Sequence, residues 1–201
     1  MKVVVTGGSG FLGRRLIRAL VGRGTLARDG EPQRVEQITA LDVARAPTEF
    51  QEPRVKYMQG DLTERAVVAA ATDAADSIFH LAAVVSGAAE ADYDLGLRVN
   101  LDGTRTLLDA CRRLPRPPTL VFASSVAVFG GDMPEVIEDF TTPTPQSSYG
   151  VQKLIGELLL GDCSRRGYVD GRALRLPTIV VRPGKPNAAA SSFASGIIRE
   201  P

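Results

Sequence analysis

Cysteine is scarce in this chain of 201 residues: Cys111 and Cys163 are the only two, and they lie far apart in stretches of helical period. Two such residues build neither a disulfide framework nor a metal cluster, so the compartment is read as reducing and no metal is expected. Charge of one sign is also missing. Lys and Arg number 24 against 23 Asp and Glu, which leaves no cationic surplus to neutralise phosphates along a duplex, so nucleic acid is not an expected partner. No apolar run approaches the ~18 residues of a membrane span, and the N-terminus enters a strand without the charged head and apolar core of a signal peptide. Internal repeats and low-complexity tracts are lacking as well. The expectation is a soluble, cytoplasmic protein with no membrane partner that takes a small ligand. A hydrophobic share of 44% with 23% charged residues fits one large core.

Short apolar runs alternate with longer segments of helical period. Residues 2–6, 37–42, 55–58, 77–81, 119–124 and 171–181 read as strands; residues 11–21, 63–72, 101–114 and 148–166 read as helices. Val3, Val4 and Val5, like Leu120, Val121 and Phe122, are apolar at consecutive positions, as in a parallel sheet covered on both faces. The fold class follows as α/β, a doubly wound parallel sheet of Rossmann type. Residues 22–36 and 130–146 read as loops by their Gly, Pro and charge content.

After the first strand, Gly7, Gly10 and Gly13 keep a three-residue spacing and lead into a helix. A tight turn, a pyrophosphate approaching bare backbone and a helix pressed on a strand each require a missing side chain, and the helix N-terminal amides then face the anion. An acid at the end of the next long strand would hold the ribose hydroxyls and repel a 2′-phosphate. Asp42 has that place and favours NAD over NADP, with Arg45 nearby to offset it. Its distance from Gly13 exceeds the usual ~20 residues because of the 22–36 insertion.

Tyr149 and Lys153 stand at i and i+4, on one side of a helix. An ammonium there stabilises a phenolate, lowering a pKa that starts near ~10 so that the phenol can act as a base. Four tyrosines and four lysines would give such a pair by chance only ~0.08 times. On the same helix Val151, Leu154, Ile155, Leu158 and Leu159 form a bulky stripe on the opposite side, which points to a second subunit. Ser124 and Ser125 end a buried strand, where a hydroxyl can hold a reacting oxygen.

Taken together, TGGSGFLG at residues 6–13, Gly60-Asp61-Leu62, His80-Leu81-Ala82-Ala83, Asn100-Leu101-Asp102-Gly103-Thr104, Ser124-Ser125-Val126-Ala127-Val128-Phe129-Gly130 and Tyr149-Gly150-Val151-Gln152-Lys153 resemble the extended short-chain dehydrogenase/reductase family, also called the NAD-dependent epimerase/dehydratase family. The motifs occur in family order over nearly the whole chain. The resemblance implies that Ser125, Tyr149 and Lys153 are catalytic, with Ser124 as second choice for the serine. It implies cofactor contacts at Gly7, Gly10, Phe11, Leu12, Asp42, Asp61, Leu62, Leu81, Ala82, Ala83, Tyr149 and Lys153, with Asn100 bracing the active-site strand ends among them. His80, the only histidine, is read as structural.

Residues 83–87 and 171–187 are similar to the D-erythronate dehydrogenase subgroup of that family. That likeness implies oxidation of the C2 hydroxyl of a small sugar acid to a 2-oxo acid, with Pro177, Thr178 and Ile179 near the nicotinamide and Ser86, Ser125, Tyr149 and Arg182 toward substrate. Arg182 or Lys185 would meet the substrate carboxylate. Family members continue well past this point, so residues 1–181 are expected to form the NAD-binding and catalytic domain and residues 182–201 the start of a substrate-binding region that is largely absent. Alternative readings are a nucleotide-sugar epimerase or dehydratase with tightly held NAD, and a dinucleotide-sensing protein without chemistry. A homodimer through the 101–114 and 148–166 helices is the expected assembly.

Overall fold

A computed structural model describes residues 1–45 and 52–179. Its centre is a six-stranded sheet built from β1 (Lys2–Thr6), β4 (Gln37–Asp42), β5 (Val55–Gln59), β6 (Ser77–His80), β7 (Thr119–Ser125) and β8 (Asp170–Leu176). The order across the sheet is β5-β4-β1-β6-β7-β8, with every neighbouring pair parallel. Strand succession therefore reverses between β1 and β6, and in such sheets the ligand crevice opens beyond the carboxyl ends at that point.

The consecutive apolar residues of β1 divide between two cores, because successive side chains in a strand leave on opposite faces. Val3 and Val5 join Ile17, Leu20 and Ile38 beneath helix α1 (Phe11–Arg23). Val4 joins Val68, Leu107 and Phe122 beneath α2 (Arg65–Thr72) and α5 (Gly103–Cys111), together with Leu160 of α6 (Ser148–Arg165). The stripe Thr104, Leu107, Leu108 and Cys111 is buried throughout.

Four details differ from the sequence reading. The segment 22–36 contains an antiparallel hairpin, β2 (Thr25–Arg28) and β3 (Glu31–Arg34), closed by Asp29 and Gly30 at φ of 53° and 84°. Asp-Gly with positive φ at both positions suits such a two-residue turn, whereas the short strands, of which β3 is fully exposed, carry no apolar alternation to reveal them. The helix expected from residue 101 begins earlier, as α3 (Ser86–Ala91), α4 (Tyr93–Gly96) and a π-helical turn, Leu97–Asp102, running into α5. Strand β8 stops at Leu176, since Pro177 has no N–H for the ladder; Val180 and Val181 lie outside the described residues. On α6 only Val151 and Leu158 of the five-membered stripe are exposed, Leu154 and Ile155 are half-buried, and Leu159 packs on the core.

The hairpin is tied to the amino-terminal side of the sheet. Arg28, nearly buried, places Nη1 2.5 Å from Asp76 Oδ1 and donates from Nη2 to the Pro117 carbonyl at 3.1 Å, while the Lys2 backbone N–H donates to Asp76 Oδ2 at 2.8 Å. Among the described residues no helix is long and apolar enough to cross a membrane, and Cys111 and Cys163 are free thiols.

Candidate active site

A cleft of about 1230 Å³ opens along the carboxyl ends of the strands. Near its middle lies the glycine turn between β1 and α1, with the ends of β4 and β5 on one side and those of β6, β7 and β8 on the other. A Cβ on Gly13 would stand 2.1 Å from the Gly7 carbonyl oxygen, so only glycine lets α1 begin this close to the strand. Gly10 precedes the helix without a side-chain cap, leaving first-turn amides directed at the space in front of it. Gly7, Gly10, Phe11 and Leu12 line the cleft. Asp42, at the end of β4, is fixed there: its Oδ2 accepts the Ser9 N–H at 2.9 Å and its Oδ1 the Ala44 N–H at 2.9 Å.

Asp61 and Leu62 form the next part of the wall. Asp61 Oδ1 accepts the backbone N–H and the hydroxyl of Thr63, both at 2.8 Å, and these bonds, the backbone one first, hold its carboxyl below the usual carboxylate range. Arg98, which the motif reading missed, approaches Asp61 Oδ2 at 3.4 Å and shares the wall. Leu81, Ala82 and Ala83 follow β6 along the cleft, and Ser86 opens α3 beside them.

Asn100 is not on the wall. It is buried in the π-helical turn, where its Oδ1 accepts the Val84 N–H at 2.8 Å and its Nδ2 donates to the Val84 carbonyl at 3.0 Å and to Gln152 Oε1 at 2.8 Å. It thus fixes the loop after β6 to α6 from behind.

His80 is also behind the wall and fully buried. Thr104 spends its single proton on the Asn100 carbonyl, at 2.7 Å, so at 3.0 Å it can only accept from His80 Nε2. Nδ1 is then the bare nitrogen and accepts the Thr6 hydroxyl at 2.7 Å, while Thr6 Oγ1 accepts the Ala82 N–H at 3.2 Å. Burial, and secondarily the charge of Lys153, pulls the imidazole down to about 3, so it is neutral and structural. No cluster of three or more metal-ligating side chains occurs among the described residues.

Toward the β7–β8 edge of the sheet the same cleft is lined by Ser125, Tyr149 and Lys153 and by Pro177, Thr178 and Ile179. Strand alternation separates the two serines: Ser124 is buried and donates its hydroxyl proton to Glu157, whereas Ser125 is half-buried, and its Oγ accepts the Ala127 N–H at 3.1 Å. Both sequence candidates border the cleft, but among the described residues only Ser124 donates its proton to a partner, Glu157. A Cβ on Gly150 would meet the Ala127 carbonyl oxygen at 2.1 Å, so this glycine allows α6 to abut the turn that follows Ser125. Its neighbour Tyr149 lines the same cleft as the serine. Ser147 caps the helix by accepting the Gly150 N–H, and Glu90 of α3, also on the wall, accepts the Ser148 N–H at 2.9 Å.

Lys153 is almost fully buried, its Nζ 5.6 Å from the Tyr149 ring centroid and 4.7 Å from that of Phe122. Burial lowers it to about 8, which still leaves mostly ammonium at neutral pH. Arg182 and Lys185 lie outside the described residues.

Residues 3–200 match the NAD dependent epimerase/dehydratase family. Over its whole length the chain is 62% identical to a D-erythronate dehydrogenase from Cupriavidus necator, of which it covers 62%. It likewise covers 62% of a D-erythronate dehydrogenase from Haemophilus influenzae, at 46% identity, so it spans under two thirds of the curated relatives it matches. Among solved structures, that of the nucleoside-diphosphate-sugar epimerase from Agrobacterium tumefaciens is 48% identical with a TM-score of 0.87, covering 100% of this chain and 59% of that one.

Proposed function

The chain belongs to the NAD dependent epimerase/dehydratase family, and from that premise we propose that it is the cofactor-binding and catalytic part of an NAD-dependent dehydrogenase that oxidises a secondary hydroxyl of a small sugar acid. The substrate we infer is D-erythronate, with its C2 hydroxyl converted to a 2-oxo group, by similarity to relatives named for that activity over the full length of the chain. The observation that supports the chemistry is that Ser125, Tyr149 and a buried Lys153 line the same cleft as the glycine turn.

NAD fits this cleft. Gly7, Gly10, Phe11 and Leu12 offer backbone to the pyrophosphate, Asp42 accepts from ribose hydroxyls, Asp61 and Leu62 border the adenine, and Leu81 to Ala83 and Pro177 to Ile179 border the nicotinamide side. When bound, NAD supplies the acceptor for a hydride leaving the substrate carbon. Tyr149, as phenolate, takes the proton of the substrate hydroxyl. Lys153 holds that phenolate by its positive charge, and Ser125 donates its proton toward the reacting oxygen. Ser86 contacts the substrate, and Arg182 pairs with its carboxylate; Arg182→Ala should then raise the substrate KM strongly. Residues 1–181 act as the NAD-binding domain and residues 182–201 begin the substrate-binding region. The exposed Val151 and Leu158, flanked by Leu154 and Ile155, support a homodimer pairing through α5 and α6. Free thiols support a cytoplasmic setting.

The test is growth of NADH absorbance with NAD and a panel of four-carbon sugar acids. NADH formed with D-erythronate is the expected result. Silence across the panel from a form extended to the length of its relatives, with NAD retained through purification, would replace this reading by the epimerase one, which the Agrobacterium relative's name favours; silence of that form with simple reversible NAD binding would leave a dinucleotide sensor.

A further inference from the structure

Glu157 takes no part in the chemistry above, does not line the cleft and is only 11% exposed, yet it holds two polar partners. Its Oε1 accepts the Ser124 hydroxyl and Arg175 Nε, the latter at 3.1 Å; its Oε2 accepts Nε at 3.2 Å and Nη2 at 2.8 Å. Ser124 and Arg175 are register partners across β7 and β8, so their side chains leave the sheet on the face toward α6. The next rung, Ser125 with Leu176, turns the other way and borders the cleft. Glu157 itself sits one helical turn beyond Lys153 on α6.

Three segments end at the reacting centre: β7 delivers Ser125, α6 delivers Tyr149 and Lys153, and β8 delivers Pro177, Thr178 and Ile179. One carboxylate, on α6 one turn from Lys153, bonds β7 one residue before Ser125 and β8 two residues before Pro177. Arg175 adds a fourth tether, its guanidinium 4.8 Å from the ring centroid of Phe129, just past the turn after Ser125. A bidentate guanidinium–carboxylate pair fixes orientation as well as distance, which a lone hydrogen bond does not. The pair with Glu157 also raises Arg175 above its ordinary value, so the fork stays charged.

We propose that Glu157 is a positioning residue, whose carboxylate, locked by Ser124 and Arg175, sets the register of Ser125, of Tyr149 with Lys153, and of the 177–179 segment around the reacting atoms. The turnover part of the proposal rests on the dehydrogenase reading; the NAD-binding part does not, because Lys153 and the 177–179 segment both border the dinucleotide cleft.

The experiment compares the wild-type chain with Ser124→Ala, Glu157→Ala, Glu157→Gln and the double variant Ser124→Ala/Glu157→Ala. It measures NAD affinity by titration, kcat and KM for D-erythronate, and thermal midpoint, all binding and rate data being taken well below unfolding. Ångström-scale displacement of reacting groups is costly, so Glu157→Ala and Ser124→Ala should each weaken NAD about five-fold and lower kcat about ten-fold, with the sugar-acid KM within about two-fold. Glu157→Gln keeps an oxygen for the Ser124 hydroxyl and should fall between wild type and Glu157→Ala. The double variant should be little worse than Glu157→Ala, because both changes break one device. A lowered thermal midpoint with NAD affinity and kcat unchanged overturns the proposal, as do losses that multiply in the double variant. NAD affinities that follow the expected order while even a form extended to the length of its relatives makes no NADH would uphold the clamp and defeat the dehydrogenase reading instead.

Discussion

His80 gives the fold an acid-sensitive point whose size follows from its surroundings. In the unfolded chain its imidazole titrates near 6.5, whereas in the folded protein burial and the nearby charge of Lys153 bring it down to about 3. Between those values the unfolded state binds the proton and the folded state does not, so stability is intact above 6.5 and is lost as pH falls through it. Taking the protein from about pH 7 to about pH 5 should remove roughly 2 kcal/mol, and below pH 3 the full loss approaches about 5 kcal/mol. The loss in the upper window belongs chiefly to histidine, since the carboxylates held low in the fold, Glu52, Asp61 and Asp162, contribute mainly below their ordinary values of 4.5, 3.8 and 3.8. Against a total stability of ~5–15 kcal/mol this is a large fraction, worth ~4–8 °C in thermal midpoint. Urea unfolding at the two pH values measures it, and the single imidazole can be followed by NMR without assignment. An imidazole that titrates near 6.5 in the folded protein, or an unchanged free energy between the two conditions, refutes the reasoning.

Three substitutions probe other parts of the structure. Arg28→Ala leaves Asp76 without its cation between the hairpin and the sheet; with Asp76 30% exposed, water offsets part of the loss, and about 1–2 kcal/mol should disappear from the urea unfolding free energy. Gly150→Ala puts a methyl against the Ala127 carbonyl and should push α6 off the Ser125 turn, lowering NADH formation by ~10²-fold while circular dichroism retains the helix and sheet signal. Asp42→Ala should weaken NAD about ten-fold and narrow its advantage over NADP, as read by titration with both dinucleotides.

How far each feature was legible depends on how local its determinants are. The glycine turn lies within eight residues of sequence, and the phenol and ammonium within one helical turn, so spacing alone locates them. Consecutive valines in β1 announce a doubly covered strand for the same reason. The β2–β3 hairpin escaped because its strands are short, β3 is exposed and polar, and β2 turns only Leu26 to the core; the Asp-Gly pair at its tip was the available signal. Resemblance prefers Ser125 to Ser124 while the residues themselves leave both open, and the carboxylate that engages Ser124, Glu157 on α6, lies 33 positions further along the chain. The chain from Ala82 through Thr6, His80 and Thr104 to Asn100 joins residues up to about 100 positions apart, and no local pattern encodes it.

The central claim is that Tyr149, supported by Lys153, is the base of an NAD-dependent oxidation, and NADH formation from NAD and D-erythronate by wild type and Tyr149→Phe tests it most directly. Wild-type production that falls by ~10²-fold or more in Tyr149→Phe, with NAD affinity within about three-fold, is the predicted result. Production at the wild-type rate by Tyr149→Phe would contradict the account.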